Sequence, residues 1–245
     1  LLERKWINKL KPELNIGSIG GGDNLSLNPN KERICRQISD TLKLKTTQNL
    51  NTNAAKISTG LLDLAAQSWS NQSGQFIQTG SDALNVKLQG NLENQQGVIA
   101  SNANQININA ANINNTAGTI QQGIGSQSLS PDASLNVTTS GTLDSSQGHI
   151  YTEHTLNLGA GTLLNNAGQI QSKDLNIHAN QIENTAAGIV SAETVNIQAG
   201  TLDNLGATIQ SSIGSLNIAA DQLNNQNTAT NQGLIQSDRK STRLN

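Results

Sequence analysis

The sequence predicts an all-β fold: a parallel β-helix, or β-solenoid, of about nine coils, with an irregular amino-terminal segment. Three observations predict it. A tripeptide of the form aliphatic-x-aliphatic returns every twenty or so residues, at Leu42, Leu62, Leu84, Ile106, Leu135, Leu156, Leu175, Val195 and Leu216. Self-similarity at such a period marks a stacked-repeat architecture. The apolar residues inside each copy alternate with period two, which indicates strands rather than helices. Aromatic residues are only 2 % of the chain and Met is absent, so the core must be filled by Ile, Leu, Val and Ala, as suits a narrow solenoid interior.

Each copy is read in the same order. The tripeptide starts lie 20, 22, 22, 29, 21, 19, 20 and 21 residues apart. From Leu84 onward its middle residue is Asn: Asn85, Asn107, Asn136, Asn157, Asn176, Asn196 and Asn217. A second Asn follows at Asn71, Asn94, Asn115, Asn165, Asn184, Asn204 and Asn225, with Ser145 in its place in the copy from Leu135. Then comes a Gly, at Gly74, Gly97, Gly118, Gly148, Gly168, Gly188, Gly206 and Gly233. A closing aliphatic follows at Ile57, Ile77, Ile99, Ile120, Ile150, Ile170, Val190, Ile209 and Ile235. In the clearest pair of copies Gly188 and Val190 align with Gly206 and Ile209. Asn, Gly, Ser and Thr bound the apolar pairs and form turns through positive φ or side-chain bonds to backbone. The pattern predicts three strands of three to five residues and three turns per coil.

A lone copy buries too few aliphatic side chains to offset the entropy of ordering some twenty residues. Copies must therefore lend one another backbone bonds and cover one another's apolar layers, as in a quasi-one-dimensional stack. Like residues then repeat at the strand spacing of about 4.8 Å, and nine coils make a rod of roughly 40 Å. Stacked Asn side chains are expected to form amide ladders.

Three stretches depart from the repeat. Residues 1–41 are expected to be irregular. They hold a basic segment (LLERKWINKLK) that reads as a frayed terminus, the alternative being a short helix with Leu2, Trp6 and Leu10 on one side, then a glycine-rich linker from Gly17 to Asp23 and a mixed charge run from Lys31 to Arg36. The glycine-rich stretch lacks the Gly-Lys-Ser/Thr of a phosphate cradle. An insertion from Gly123 to Ser134 carries Pro131, which cannot donate to a β-ladder and so predicts a loop at one corner. The repeat domain then runs to Ser237. The last eight residues, DRKSTRLN at 238–245, read like a translated adapter oligonucleotide and are expected to be a non-native tail. The chain begins with Leu1 rather than Met, and we expect it to be a fragment of a longer protein.

Net charge is −2 and charged residues are 13 %, about half the usual share. There is no basic patch with interleaved aromatics, so nucleic acid is not an expected partner. No run of eighteen apolar residues marks a membrane helix. Cys35 is the single cysteine and has no internal disulfide partner.

Glu183 and Asp203 fall at one register in successive copies and form the best candidate acid pair for glycoside chemistry. Neighbouring copies put Glu93, Asn114, Asp144, Leu164 and Asn224 there, so the column reads as variable surface. Asp82, Asp174 and Glu193 read as turn formers. His149, His154 and His178 lack the spacing of a zinc site. Trp69 stands at the position of Ile182 and Leu202 and is expected inside; a surface role as a sugar platform is the alternative, with Tyr151 and the loop around Pro131. We expect no catalytic, cofactor-binding or metal-binding residues.

The pattern LNI-x-A-x-x-I-x-N-x-x-G-x-I-x-S, most regular from Leu84 to Ser237, resembles the haemagglutinin repeats of filamentous-haemagglutinin-type exoproteins. These are the products of two-partner secretion, among them adhesins, haemolysins and the stalks of contact-dependent growth inhibition proteins. The resemblance implies a right-handed β-helix and export through an outer-membrane transporter of the Omp85 class, by way of a secretion domain not recognisable here. It implies display as a stalk, secreted or on the outer surface of a Gram-negative bacterium, and partners such as a cell-surface receptor or glycan. No cofactor is expected.

Overall fold

The computed structural model describes residues 13–16, 25–26, 38–125 and 128–238, with side chains from Thr41 onward. The basic amino-terminal segment, the glycine-rich linker, the charge run with Cys35, and residues 239–245 of the tail lie outside the described residues.

Every described element is a β-strand, and every pairing is parallel. Each coil runs along three faces. The first carries the Leu-Asn-Ile tripeptide, as in Leu84–Lys87 and Gln105–Ala110. The second carries one inward aliphatic, as in Leu92–Glu93 and Ile113–Asn114. The third carries the closing aliphatic, as in Val98–Ser101 and Thr119–Gln122. Register holds residue for residue: Ile106 lies between Leu84 and Leu135, Ile113 between Leu92 and Leu143, and Ile120 between Ile99 and Ile150. The tripeptides from Leu42 to Leu216 thus stack as about nine turns of a parallel solenoid.

Alternation decides which side chains enter the core. In Leu84–Lys87 the leucine and valine are buried while Asn85 and Lys87 face out. The core is one continuous cluster from Leu42 to Ile209. In the third-face column Phe76, not Ile77, pairs with Ile99 and turns inward, leaving Ile77 half-buried outside. Neighbours on a strand point to opposite sides, and the Phe76 ring finds Trp69 edge-on, with centroids 5.5 Å apart at 88°.

Strand length differs from expectation in the carboxyl-terminal half. Gln169–Thr185 and Ile189–Leu205 are each continuous over 17 residues. Their coils match in length, so the pairing passes through the corner between third and first faces without slipping. Asp174 and Glu193 accordingly lie within strands rather than in turns. At the amino-terminal end the stack reaches into residues 1–41. Glu13–Ile16 pairs with Thr41 to Leu44, and Leu25–Ser26 pairs with Leu50 and Asn51. Strand Ile38–Lys45 likewise begins before Leu42.

The corner between second and third faces uses a turn that glycine shapes indirectly. In Asn94-Gln95-Gln96-Gly97 the Gly97 N–H donates to the Asn94 carbonyl at 3.0 Å, and the positive φ, 55°, falls on Gln96. Ser73, Ala117, Gln147 and Ala167 repeat that conformation one residue before their glycines. The glycine is needed for space: a Cβ on Gly97 would stand 2.2 Å from the Asn71 carbonyl oxygen of the coil before. The turn after Asn204 reverses the order. Gly206 has φ 58°, and buried Ala207 takes the place that Gly188 has one coil earlier. The register therefore sets Gly188 beside Ala207, one residue later than the sequence alignment has it.

Candidate functional site

Two columns of asparagine and one groove are the features that the repeat builds. The inner column, Asn71, Asn94, Asn115, Asn165, Asn184 and Asn204, is buried at the corner between second and third faces. Each Nδ2 donates to the Oδ1 of the next coil at 2.7–2.8 Å where an Asn follows. It also reaches backbone carbonyls; Asn94 Nδ2 lies 3.2 Å from both Gly97 O and Thr119 O. The ladder therefore closes its own turn and ties it to the next coil. It is interrupted once. Asn115 donates to Ser145 Oγ at 3.3 Å, and the buried Asn165 Oδ1 that follows has no partner.

The outer column is Asn85, Asn107, Asn136, Asn157, Asn176, Asn196 and Asn217. From Asn107 onward each amide donates to the Asn of the coil before it, at 2.7–3.1 Å. Beside this column, on the same first face, runs a shallow open groove of about 760 Å³. Its lining spans five successive coils, from Thr138 through Gly159, His178 and Gln198 to Ala219. His178 Nδ1 and Gln198 Oε1 are 3.2 Å apart.

The residues that the sequence singled out fall elsewhere. Trp69 is inside, 0 % exposed, with its indole N–H donated to Thr52 Oγ1 at 2.9 Å; it is a core residue, not a surface platform. Glu183 and Asp203 are register partners on the second face, half-buried, and Glu183 Oε1 accepts from Gln181 Nε2 at 2.8 Å. His149 and Tyr151 lie on one third-face strand with ring centroids 5.7 Å apart, away from His178 on the first face. Burial and the carboxylate of Glu153, which accepts a hydrogen bond from the Tyr151 hydroxyl at 3.3 Å, raise the Tyr151 pKa above the ordinary phenol value. Residues 123–125 and 128–133 follow the third face without forming a strand, and Ser134 opens the next one. Buried Gln122 anchors the base of the insertion: Nε2 donates to Ala103 O, Asn104 O and Ser134 O, and Oε1 accepts from Thr152 Oγ1 at 2.7 Å. Pro131 is exposed. Among the described residues no group of three or more His, Cys, Asp or Glu is placed to hold a metal ion, and no helix is long and apolar enough to cross a membrane.

No protein-family model matches the chain, and neither curated proteins nor solved structures give a match.

The groove is the feature that reading by tripeptides passes over. Its distinguishing column is the residue after each tripeptide: Lys87, Asn109, Thr138, Gly159, His178, Gln198 and Ala219. A glycine in that otherwise side-chain-bearing column is the signal.

Proposed function

We propose that this chain is a structural stalk segment of a large secreted or surface-exposed bacterial exoprotein, of the adhesin or haemagglutinin type or the contact-dependent growth inhibition type. It displays a distal binding or toxin region at a distance from the cell. Export runs through an Omp85-class outer-membrane transporter, engaged by another part of the protein, and the segment itself has no catalytic role. The observation that supports this reading best is the continuity of the stack. Backbone bonds run coil to coil, the inner amide column reinforces them within the core, and the outer column adds side-chain bonds along the surface. Such an element is stiff along its axis because each coil is held by both neighbours.

The reading is tested by coil deletion in the full exoprotein. Removing one whole coil, residues 175–194, keeps every register and shortens the rod by about 4.8 Å; export and the activity of the distal region are expected to persist. Removing residues 175–184 alone turns inward columns out and is expected to abolish surface display. If the whole-coil deletion is as damaging as the half-coil deletion, the segment is not a spacer. Release of saccharide products from a polysaccharide panel, lost in a Glu183→Ala, Asp203→Ala double variant, would replace the reading with a β-helical enzyme.

A further inference from the structure

Gly159 differs from the other glycines of the coils. A Cβ on Gly74, Gly97, Gly118, Gly148, Gly161, Gly168, Gly188 or Gly200 would come within 3.0 Å of a neighbouring atom, so those glycines are demanded by packing. At Gly159 the nearest atom to such a Cβ is Thr138 Cγ2 at 3.4 Å, an ordinary contact, and its φ is not positive. Neither the backbone nor the packing requires glycine there. In a strand interior glycine weakens the strand and often marks a bulge, a tight bend or a place where a ligand or another backbone approaches closely; the register through Gly159 runs without a bulge.

Gly159 lies in the first-face groove. One side of that groove is the outer amide ladder. An Asn amide has two N–H donors and two carbonyl lone pairs. Asn157, Asn176 and Asn196 each commit one donor and one lone pair to the ladder. A second donor and a second lone pair remain on each, repeated at the strand spacing of about 4.8 Å. The ladder bonds fix the amide planes in advance, so little side-chain entropy is lost when a ligand binds. On the other side His178 and Gln198 hold each other at 3.2 Å. The lining contains no Asp, Glu, Lys or Arg.

We propose that this groove binds a neutral, linear, hydroxyl-rich glycan lying along the rod axis. Alternating donors and acceptors suit hydroxyl groups, which do both. The absence of full charges from the lining disfavours anionic or cationic polymers. An extended peptide repeats its side chains on one face about every 6.8 Å and falls out of step with the amides, and the backbone groups of these strands already bond to neighbouring coils. A chain of pyranose rings linked through opposite ring edges presents hydroxyls about once per rung. Gly159 leaves the floor low enough for a ring to lie against the sheet.

The test is isothermal titration calorimetry of the full 245-residue chain with cellohexaose and with chitohexaose. Saturable binding of at least one is expected. Gly159→Gln, which fills the gap with a side chain the site can hold, is expected to weaken it tenfold or more with a melting midpoint no lower than that of the parent chain. His178→Ala is expected to weaken it several-fold. Tyr151→Ala, on another face, is expected to leave it unchanged. Failure of both oligosaccharides to bind, binding indifferent to Gly159→Gln, or binding lost with Tyr151→Ala alone would each overturn the proposal. So would a concentration-dependent dimer abolished by Gly159→Gln, which would give the groove to a second copy. Small-angle scattering of the same samples reads the rod independently, so loss of glycan binding leaves the stalk reading standing and a compact profile removes it.

Discussion

Two asparagine columns run along this rod with opposite polarity. The inner amides donate toward the carboxyl terminus, the outer ones toward the amino terminus. Bond lengths are alike, 2.7–2.8 Å inside and 2.7–3.1 Å outside. What separates the columns is water. An outer amide that loses its neighbour regains a hydrogen bond from solvent. An inner amide oxygen that loses its donor has nothing to turn to, as at Asn165 Oδ1, and a buried polar group left unpaired costs about 1–3 kcal/mol. One residue type in one repetitive geometry thus serves as structural necessity in one column and as available surface chemistry in the other.

The comparison is broken most directly at Asn94. Asn94→Ala removes the bonds to Gly97, Thr119 and Asn115, takes one acceptor from Asn71 Nδ2, which keeps the Val98 carbonyl at 3.3 Å, and leaves Asn115 Oδ1 without a donor. At about 1–3 kcal/mol for the orphaned oxygen and about 1 kcal/mol for the bonds lost with the side chain, the expected loss is roughly 2–4 kcal/mol, measured by urea unfolding. Next comes Gly97→Ala, whose Cβ meets the Asn71 carbonyl oxygen and Asn94 Oδ1. Overpacking of this kind is expected to destabilise by about 1–3 kcal/mol, with a lower thermal midpoint by calorimetry.

The fault at Ser145 sharpens the comparison in the opposite direction. Ser145→Asn supplies a donor to the unpartnered Asn165 Oδ1 and is expected to stabilise by about 1 kcal/mol. A nitrogen-15 spectrum with the new amide protons protected from solvent exchange would verify that the ladder has closed. Smallest is Asn107→Ala in the outer column, expected to change stability by less than about 0.5 kcal/mol, since it alters a partly exposed site. A loss there as large as that of Asn94→Ala would erase the distinction between the columns.

Much of this was legible in the residues. Inward aliphatics, the two Asn positions, the replacement by Ser145 and the loop containing Pro131 follow from period-two alternation and spacing alone. Trp69 was legible by register, since it stands where Ile182 and Leu202 stand. Leu14-Asn15-Ile16 carries the tripeptide too, but it lies 28 residues before Leu42, outside the regular spacing, and only its pairing with Thr41 to Leu44 places it in the stack. The choice of Phe76 over Ile77 was not legible either. Both are apolar, and strand phase is set by the neighbouring coils rather than by the pair itself. Asp174 and Glu193 resemble turn residues by type, yet equal coil lengths carry the ladder through their corner.

The amino-acid sequence by itself determined that the chain coils, about how many times, and which residues face inward in most coils, because alternation and repeat length are local properties that stacking must respect. Tertiary structure alone decided the direction of each amide ladder, the unpartnered oxygen of Asn165, the move of positive φ from glycine to the residue before it, and the open floor at Gly159. Each of these depends on which atom of one coil meets which atom of the next, and residues that meet this way are some twenty positions apart in the chain.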